Sequence, residues 1–255
     1  MFKNDFVIIK GDSYVELQNL EAYSVHLIVT SPPYNVGMPY DGYDDRQNYK
    51  VYMQHMENVL TECYRVLARG GRIAINLPSA SMQTTGSKEA FVAIDYVNMM
   101  RKIGYLDREW IGWQKGSFAL RGVTSWGSWC SPSQPYLRDS MEYIIVFSKE
   151  THKREDKKGP NDITPEEFVA FTKNCWFIQP EVKNRKLHPA PFPVELPYRL
   201  LKLYTWPGDT VLDPFCGIGT VGEACRMLKR NFIGIDISER YCHIARERLS
   251  QEVLF

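Results

Sequence analysis

The sequence has no long hydrophobic run, no CxxC cysteine pair and no signal-peptide pattern at its amino terminus. No apolar stretch reaches the roughly 18 residues that a transmembrane helix requires. The first segment carries Asp5 and breaks at Gly11-Asp12, so we expect neither a membrane anchor nor a leader. Because none of the six cysteines lies in a CxxC motif, we expect a reduced cytoplasmic protein without a structural zinc site.

The chain also lacks an excess of either charge. Its 255 residues include 31 Lys or Arg and 30 Asp or Glu, which gives a formal net charge of +1. This balance excludes a uniformly basic nucleic-acid coat protein, so any contact with nucleic acid has to come from a local patch. A hydrophobic content of 44% excludes intrinsic disorder, and the length allows one large domain.

Short apolar runs alternate with longer amphipathic stretches along the chain. Strands are expected at residues 6–9, 25–30, 72–77, 105–113, 141–147, 210–212 and 232–235. Helices are expected at residues 49–67, 90–103, 194–204, 221–229 and 239–249. Gly70-Gly71 is expected to end the first of these helices, and Thr164 to cap a further short one. The alternation predicts an α/β fold, in which a mostly parallel sheet has helices on both faces and binds ligands at the carboxyl ends of its strands.

A glycine-rich turn near the carboxyl terminus has the features of a nucleotide-binding site. Gly217 and Gly219 follow a predicted strand and allow a ligand to approach the backbone closely. Asp236 follows about 20 residues later, where a carboxylate can accept both hydroxyl groups of a ribose. Asp213 precedes the turn, suits an ammonium group and would repel a phosphate. The turn favours a ligand such as S-adenosylmethionine (SAM), and a turn that only packs helix on strand is the alternative.

A second motif, TSPPYN at residues 30–35, follows a predicted apolar strand. Two prolines fix the backbone, so that the hydroxyl of Ser31 and the carbonyl of Pro32 can both accept hydrogen bonds from one amino group. Tyr34 offers a flat face to a planar ring. Together these groups suit an aromatic amine such as a nucleobase, and a proline turn with a packed tyrosine is the alternative.

With both motifs in place, the chain resembles the β class of amino-methylating DNA methyltransferases, in which a (D/N/S)-P-P-(Y/F) catalytic loop precedes an F-x-G-x-G SAM turn. The matching residues are 31–34 and 215–219, and segments 11–12 and 188–193 resemble further parts of that family's SAM site. The resemblance covers nearly the whole chain. It implies a Rossmann-like methyltransferase fold with a seven-stranded sheet and a circularly permuted motif order. It also implies one catalytic domain, with small target-recognition insertions within 115–139 and 149–186.

The resemblance assigns roles to individual residues. The catalytic residues would be Ser31, Pro32, Pro33 and Tyr34. The SAM-binding residues would be Asp12, Thr30, Pro189, Phe192, Pro193, Asp213, Pro214, Phe215, Cys216, Gly217, Gly219, Thr220, Asp236 and Ile237. Basic and aromatic residues of the loops are the candidates for DNA contact: Arg121, Trp126, Trp129, Arg138, Lys153, Arg154, Lys157, Lys158, Lys183 and Arg185. Because the net charge is small, we expect the basic residues to be gathered around the Tyr34 loop.

The implied reaction is methyl transfer from SAM to the exocyclic amine of a base flipped out of double-stranded DNA. Catalysis would rest on positioning and electrostatics, with Ser31 as a hydrogen-bond acceptor and the surplus proton leaving to water. Serine at this position is typical of N4-cytosine enzymes, whereas Asn35 also occurs in N6-adenine enzymes, so N6-adenine stays open. The chain has no Pro-Cys pair and no histidines in metal-ligand spacing, which argues against C5-cytosine methylation and against a metal site.

The resemblance further implies a homodimer, a cognate restriction endonuclease and a location in the prokaryotic cytoplasm or nucleoid. Two other functions stay open at this point. One is methylation of RNA, a protein amide or a small amine, and the other is binding of SAM or DNA without turnover.

Overall fold

The computed structural model describes residues 5–78, 81–82, 88–115, 127–135, 140–156 and 159–250. Ten strands lie in these ranges: β1 Phe6–Lys10, β2 Val25–Thr30, β3 Leu67–Pro78, β4 Ser81–Met82, β5 Lys88–Ala90, β6 Leu106–Gln114, β7 Met141–Ser148, β8 Cys175–Phe177, β9 Thr210–Asp213 and β10 Asn231–Asp236. The described α-helices are α1 Ser13–Gln18, α2 Tyr49–Val66, α3 Val92–Ile103, α4 Pro165–Phe171, α5 Glu195–Tyr204, α6 Thr220–Met227 and α7 Glu239–Ser250. A short 3₁₀ helix spans Lys183–Lys186.

The main sheet has eight strands in the order β1-β10-β9-β2-β3-β7-β6-β8. The first five of these strands are mutually parallel, whereas β7 runs antiparallel to both of its neighbours. The mostly parallel α/β fold predicted from the sequence is confirmed, but the expected count of seven strands is wrong. The eighth is β8, which pairs in parallel with the edge strand β6 and comes from the 149–186 segment that was expected to be an insertion.

Two hydrophobic cores cover the faces of this sheet. The central strand β2 is buried along its whole length, so its successive side chains enter the two cores alternately. One core contains the apolar faces of α1, α2 and α3, and the other contains those of α5 and α6. Burial on both faces explains why the strands appear in the sequence as continuous apolar runs.

Helix α2 ends at Val66, and β3 begins at the next residue. The prediction that Gly70-Gly71 ends this helix is therefore wrong. Gly70 instead lies inside β3 with a φ of +68°, and a Cβ there would lie 2.5 Å from the carbonyl oxygen of Lys153. The glycine allows the 149–154 segment to pack directly against the strand. The predicted cap of α4 is present, because Thr164 and Glu167 form a reciprocal capping box.

The strand directions decide where polar groups meet. Thr30, Asp213 and Asp236 end the parallel strands β2, β9 and β10, so all three lie at one edge of the sheet. Because β7 is antiparallel, its first residues, including Glu142, reach the same edge opposite Pro78. We call this the carboxyl edge. Among the residues that the structure describes, no helix is long and apolar enough to cross a membrane.

Candidate active site

A cavity of about 360 Å³ opens at the carboxyl edge, within the size range of small-molecule sites. Residues from both sequence motifs line it, together with the 188–193 segment. The predicted catalytic and SAM-binding residues in its wall are Asp12, Ser31, Pro33, Tyr34, Pro189, Phe192, Phe215, Cys216, Gly217, Thr220, Asp236 and Ile237. The remaining predicted residues lie outside the lining: Thr30, Pro32, Pro193, Asp213, Pro214 and Gly219.

Asp213 lies behind the cavity wall. Its side chain is buried with only 1% of the residue exposed. One carboxylate oxygen accepts hydrogen bonds from the Thr30 hydroxyl at 2.8 Å and from the Phe215 amide at 3.1 Å. Burial raises the pKa of Asp213 to about 7, because a low-dielectric interior disfavours the charged form. This placement differs from the predicted contact with an ammonium group, since Asp213 holds β2 and the glycine turn together.

The glycine turn places the backbone against Asp236. The Gly217 amide donates to one carboxylate oxygen at 2.8 Å, and the Ser238 amide donates to the other at 2.9 Å. Gly217 and Gly219 have φ values of +48° and +80°, which other residues adopt only at a cost. A Cβ on Gly217 would lie 3.0 Å from Nε2 of His188, so only glycine fits without displacing that ring.

The same surroundings fit a ribose. Each oxygen of the Asp236 carboxylate has more lone pairs than its one backbone donor uses, and the group lies in the cavity wall. Partial burial raises the pKa of Asp236, with the two amide donors acting in the opposite direction. Asp236 can therefore accept a pair of hydroxyl groups, and the apolar side chains of Phe215 and Ile237 lie in the same wall.

Asp12 forms the link between β1 and the cavity. Its side chain caps α1 by accepting from the Tyr14 amide at 2.9 Å, and its second oxygen lies 3.7 Å from Nε2 of His55. The next residue, Ser13, donates its hydroxyl to the Pro214 carbonyl at 2.5 Å. Helix α1 therefore joins the Asp12 loop to the glycine turn. This six-residue helix was not predicted from the sequence, although an aspartate cap followed by Glu16 in the first turn is a recognisable signal.

His188 covers the glycine turn from the opposite side. Its ring lies between those of Tyr40 and Tyr241, with centroid distances of 5.6 and 4.8 Å. The Ala190 amide donates to Nδ1 at 3.3 Å, and burial lowers the pKa of His188 to about 4. The imidazole is therefore neutral at physiological pH. Both tyrosines line the cavity and were missed in the sequence.

Hydrogen bonds from the Tyr52 hydroxyl and from the Asn35 side-chain amide hold the catalytic loop in place. The Tyr52 hydroxyl donates to the Pro33 carbonyl at 2.9 Å and lies 2.7 Å from the Tyr96 hydroxyl. Asn35, which has a φ of +57°, donates from its side chain to the Gln47 carbonyl at 2.8 Å. The Asn35 side chain is thus used inside its own loop.

Three polar residues near the catalytic loop were not identified from the sequence. Asn76 lies near the end of β3, Lys115 follows β6 and Glu142 is the second residue of β7, and all three line the cavity beside Tyr34. Lys115 forms an ion pair with Glu142. The Asn76 side-chain amide donates to Glu142 at 2.5 Å and to the Tyr34 hydroxyl at 2.8 Å. We call these three residues the Glu142 cluster. They come from segments that are far apart in the sequence but lie in or directly after neighbouring strands of the sheet, in the order β3-β7-β6. The antiparallel direction of β7 brings Glu142 to the same edge as the other two residues.

Burial makes the cysteine of the SAM turn unreactive. Cys216 is 5% exposed, and burial raises its thiol pKa well above the ordinary value. A Cβ on Gly234 would lie 2.9 Å from its Sγ. Cys216 therefore packs β10 against the turn, which agrees with the absence of a C5-cytosine nucleophile in the sequence.

The predicted DNA contacts fall into separate places. Lys183 and Arg185 lie exposed on the 3₁₀ helix, and Arg185 also lines the cavity. Trp129 is 68% exposed. Five further predicted contacts lie outside the described residues: Arg121, Trp126, Arg138, Lys157 and Lys158.

Arg154 is at the amino-terminal ends of the strands, opposite the cavity. Its guanidinium is 1% exposed and pairs with Asp209 at 2.5 Å and Asp156 at 2.7 Å. Asp209 directly precedes β9, and Asp156 follows the end of the antiparallel strand β7. Both carboxylates therefore lie at the end of the sheet opposite the carboxyl edge, which excludes a DNA contact by Arg154 at that edge. Lys153, its neighbour, lies at the same end. Further basic residues are found there: Arg72, Arg108, Lys149 and Arg230. The expectation that basic residues gather around the Tyr34 loop is therefore wrong for this group.

Comparison with known proteins identifies the family. The model of the N6/N4 DNA methylase family matches residues 25–247. The type II methyltransferase M.HpaI of Haemophilus parainfluenzae is 32% identical over 259 aligned residues, which cover 96% of this chain and 74% of that relative. The DNA adenine methyltransferase YhdJ of Escherichia coli is 30% identical, with 95% of this chain and 82% of that protein covered.

A solved structure supports the same assignment. The Thermus thermophilus protein TTHA0409, whose structure was solved in complex with S-adenosyl-L-methionine, superposes with a TM-score of 0.73. It is 27% identical, and the alignment covers 98% of this chain and 96% of that one. With the SAM turn, the catalytic loop and the matched family model in agreement, the chain belongs to the N6/N4 family of SAM-dependent DNA methyltransferases.

Proposed function

We propose that this DNA methyltransferase modifies the N4 amine of a cytosine that is flipped out of duplex DNA. One observation carries the proposal: hydrogen-bond acceptors for an amine and for a ribose line the same cavity. Ser31 and Tyr34 form the first part, and Asp236 with Gly217 forms the second. A cofactor and a base bound there would be neighbours, as a direct methyl transfer requires.

The residues around Ser31 address the main difficulty of the reaction. An exocyclic amine is a weak nucleophile because its lone pair is delocalised into the ring. Acceptors that fix both N–H bonds hold the nitrogen in an orientation from which the lone pair can react. Bound SAM supplies an activated methyl group. The Ser31 hydroxyl in the wall and the Pro32 carbonyl next to it are the proposed acceptors.

Asn76 holds Tyr34 beside Ser31. Asn76 is only 4% exposed and lines the cavity. Its side-chain amide donates to the Tyr34 hydroxyl at 2.8 Å and to Glu142 at 2.5 Å. The position of the Tyr34 hydroxyl next to Ser31 is therefore fixed by a buried side chain.

The choice of cytosine rests on Ser31. A serine in this position is typical of the N4-cytosine members of the family, whereas an aspartate is typical of the N6-adenine members. Asn35, which also occurs in N6-adenine members, is the contrary indication, and its side chain bonds within its own loop. N6-adenine methylation stays the second candidate, since the Escherichia coli relative is a DNA adenine methyltransferase.

The proposed DNA face is the surface around the cavity mouth. Lys183 and Arg185 are exposed there or beside it and can contact phosphates. The target base lies inside a duplex, so it has to leave the stack to reach Ser31, and Tyr34 is placed to contact its ring.

Nucleoside analysis of duplex DNA that has been incubated with the purified protein and SAM tests the proposal. We expect N4-methylcytosine in the wild-type reaction and none with Ser31→Ala. N6-methyladenine in place of N4-methylcytosine would establish the second candidate. If the DNA contains neither N4-methylcytosine nor N6-methyladenine, and RNA or a small amine is methylated instead, the result would contradict a DNA methyltransferase function.

A further inference from the structure

A continuous chain of hydrogen-bonding groups leads from the catalytic loop into the Glu142 cluster. The Ser31 hydroxyl lies 2.8 Å from the Tyr34 hydroxyl. The Tyr34 hydroxyl in turn lies 3.3 Å from a carboxylate oxygen of Glu142. The other Glu142 oxygen is paired with Lys115. Ser31, which faces the proposed amine, is thus connected to a carboxylate through one tyrosine hydroxyl.

The donors and acceptors around Tyr34 give this chain a direction. The Asn76 side-chain amide donates to the Tyr34 oxygen at 2.8 Å, and the same amide donates to Glu142 at 2.5 Å. When Ser31 also donates to Tyr34, the tyrosine proton is left for the Glu142 oxygen or for the backbone carbonyl of Asn76, which lies 3.2 Å away. Burial and the nearby Glu142 raise the pKa of Tyr34 well above its ordinary value. Tyr34 therefore keeps its proton at rest and is able to pass one on.

The reaction itself generates a proton that has to leave. Methylation gives the amine nitrogen a fourth bond and a positive charge, and an ammonium attached to an electron-poor ring is a strong acid. Ser31 is a weak base. The neighbouring polar side chains are shielded from solvent, with 4% of Asn76 exposed and 17% of the Glu142 side chain. A route through the protein would move the proton away from the reacting atoms without a water molecule beside them.

We propose that Ser31, Tyr34 and Glu142 form a proton relay that takes the surplus proton from the amine while the methyl group is being transferred to it. The proposal rests on the methyltransferase function proposed above. As the bond between the amine nitrogen and the methyl carbon forms, an N–H bond breaks and an O–H bond forms at Ser31. The Ser31 proton passes to Tyr34, and the Tyr34 proton passes to Glu142. The net result is a neutral amine and a neutral Glu142, with Ser31 and Tyr34 unchanged and Lys115 still protonated.

The relay makes a prediction about combined substitutions. Tyr34→Phe keeps the ring but removes the connecting hydroxyl, and Glu142→Gln keeps the shape but cannot take a proton. We expect each to lower the single-turnover rate of methyl transfer to duplex DNA by about 100-fold, a typical contribution of a positioned base. Because the two groups act in series, the double variant should lose no more than either single variant. Two independent roles would instead multiply to about 10⁴-fold.

A small carboxylate provides a second measurement that a merely structural role would not change. Glu142→Ala leaves space at the end of the relay, and added sodium formate should raise its methyl-transfer rate at least about 10-fold by accepting the proton. Tyr49→Phe is the matched control. It removes a half-buried tyrosine hydroxyl that bonds to Asp95 at 2.6 Å, outside the cavity, and should leave the rate unchanged with and without formate.

The outcomes separate the relay from the function on which it rests. A wild-type protein that methylates no DNA contradicts the proposed function. A wild-type protein that does methylate DNA, with losses that multiply in the double variant or with no effect of formate, overturns the relay alone. Rates of the single variants within about 3-fold of wild type would also overturn it. SAM dissociation constants and melting temperatures close to wild type show that the variants are folded and loaded.

Discussion

Asp213 and Asp236 end neighbouring strands but have different surroundings. Asp213 turns into the protein and accepts hydrogen bonds from Thr30 and from the Phe215 amide. Asp236 stays in the cavity wall, where two backbone amides hold its oxygens. Asp213 is thus a buried structural carboxyl, and Asp236 is the group available to a ligand.

Asp213 should make the stability of the protein depend on pH. Its folded-state pKa of about 7 is raised above the ordinary value. Protonated Asp213 therefore makes its full contribution to the unfolding free energy in acid, and this contribution is lost as the pH rises through about 7. Asp213→Asn cannot ionise and should lack that loss. We expect the unfolding free energy of wild type, relative to Asp213→Asn, to fall between about pH 5 and about pH 8 in urea denaturation. A difference that stays constant with pH would show that Asp213 is not protonated in the folded state.

Gly217 should be required for SAM binding. In Gly217→Ala the new Cβ would lie 3.0 Å from His188, with a φ of +48°. We expect the SAM dissociation constant to rise at least about 10-fold, which corresponds to about 1.4 kcal/mol. Gly208→Ala is the matched control, because Gly208 has a φ of +86° and a Cβ there has no described atom within 4 Å. Calorimetric titration with SAM should give equal affinities for wild type and Gly208→Ala, and an equal affinity for Gly217→Ala would contradict the proposed role.

The residue types of the cavity could be predicted from spacing, but side-chain directions could not. The spacing of Gly217 and Asp236 reflects the strand–turn–helix geometry and is visible in the sequence. The inward turn of Asp213 depends on Thr30 of the neighbouring strand β2, and the Glu142 cluster depends on residues distant in the chain. Such contacts become visible only when the strands have been placed side by side.

At the scale of elements, the amino-terminal ends of the strands are held by buried charges. Arg154 pairs with Asp209, which is 0% exposed and precedes β9. Asp209 also accepts from the Trp206 amide at 2.9 Å. Arg230 pairs with Asp162 before β10. Arg154 and Asp162 are therefore fixed to the sheet by ion pairs, whereas the charged composition of this part of the sequence suggested a solvated surface or a DNA contact.

Arg154→Ala should destabilise the fold. Removal of the guanidinium leaves the Asp209 carboxylate buried without its partner, and such a loss costs about 3–5 kcal/mol. Lys153→Ala alters an exposed neighbour and should change the unfolding free energy by less than about 0.5 kcal/mol. Urea denaturation of the two variants provides the comparison. Unchanged stability in Arg154→Ala together with weaker DNA binding would restore the original prediction for Arg154.

Long elements were predictable and short ones were not. Helix α2 was expected at 49–67 and spans Tyr49–Val66, because its buried positions recur at helical spacing over many turns. Helix α1 has six residues and strand β8 has three, which is too short for a period to appear. Strand β8 forms because β6 offers an unpaired edge, and that edge is a property of the assembled sheet.

At the scale of the whole molecule, the two ends of the sheet differ in function. The carboxyl edge holds the cavity with the groups proposed to bind SAM and the base, and the opposite end holds the buried ion pair of Arg154 and Asp209. Arg154 and Arg230 are buried and taken up by ion pairs at the opposite end. Among the predicted DNA contacts that the structure describes, Lys183 and Arg185 are exposed at or beside the cavity.

Lys183 and Arg185 should contribute to DNA affinity through phosphate contacts. We expect Lys183→Ala and Arg185→Ala each to lower the slope of log K against log salt concentration by about 1, as a lost phosphate contact does. Arg101→Ala is the control, because Arg101 pairs with Asp107 in the exposed region at the other end of the sheet. Fluorescence anisotropy at several salt concentrations measures these slopes. Equal slopes for all four proteins would place the DNA elsewhere.

Methyl transfer by Tyr34→Ala, measured together with SAM binding, tests the central claim most directly. Tyr34 lies in the cavity beside Ser31, on the side proposed for the base and away from Asp236. We predict that incorporation of labelled methyl groups into duplex DNA falls at least about 100-fold, while the SAM dissociation constant of the folded variant stays within about 2-fold of wild type. Unchanged methyl incorporation at equal SAM affinity would contradict the assignment of this cavity as the site where the base is methylated.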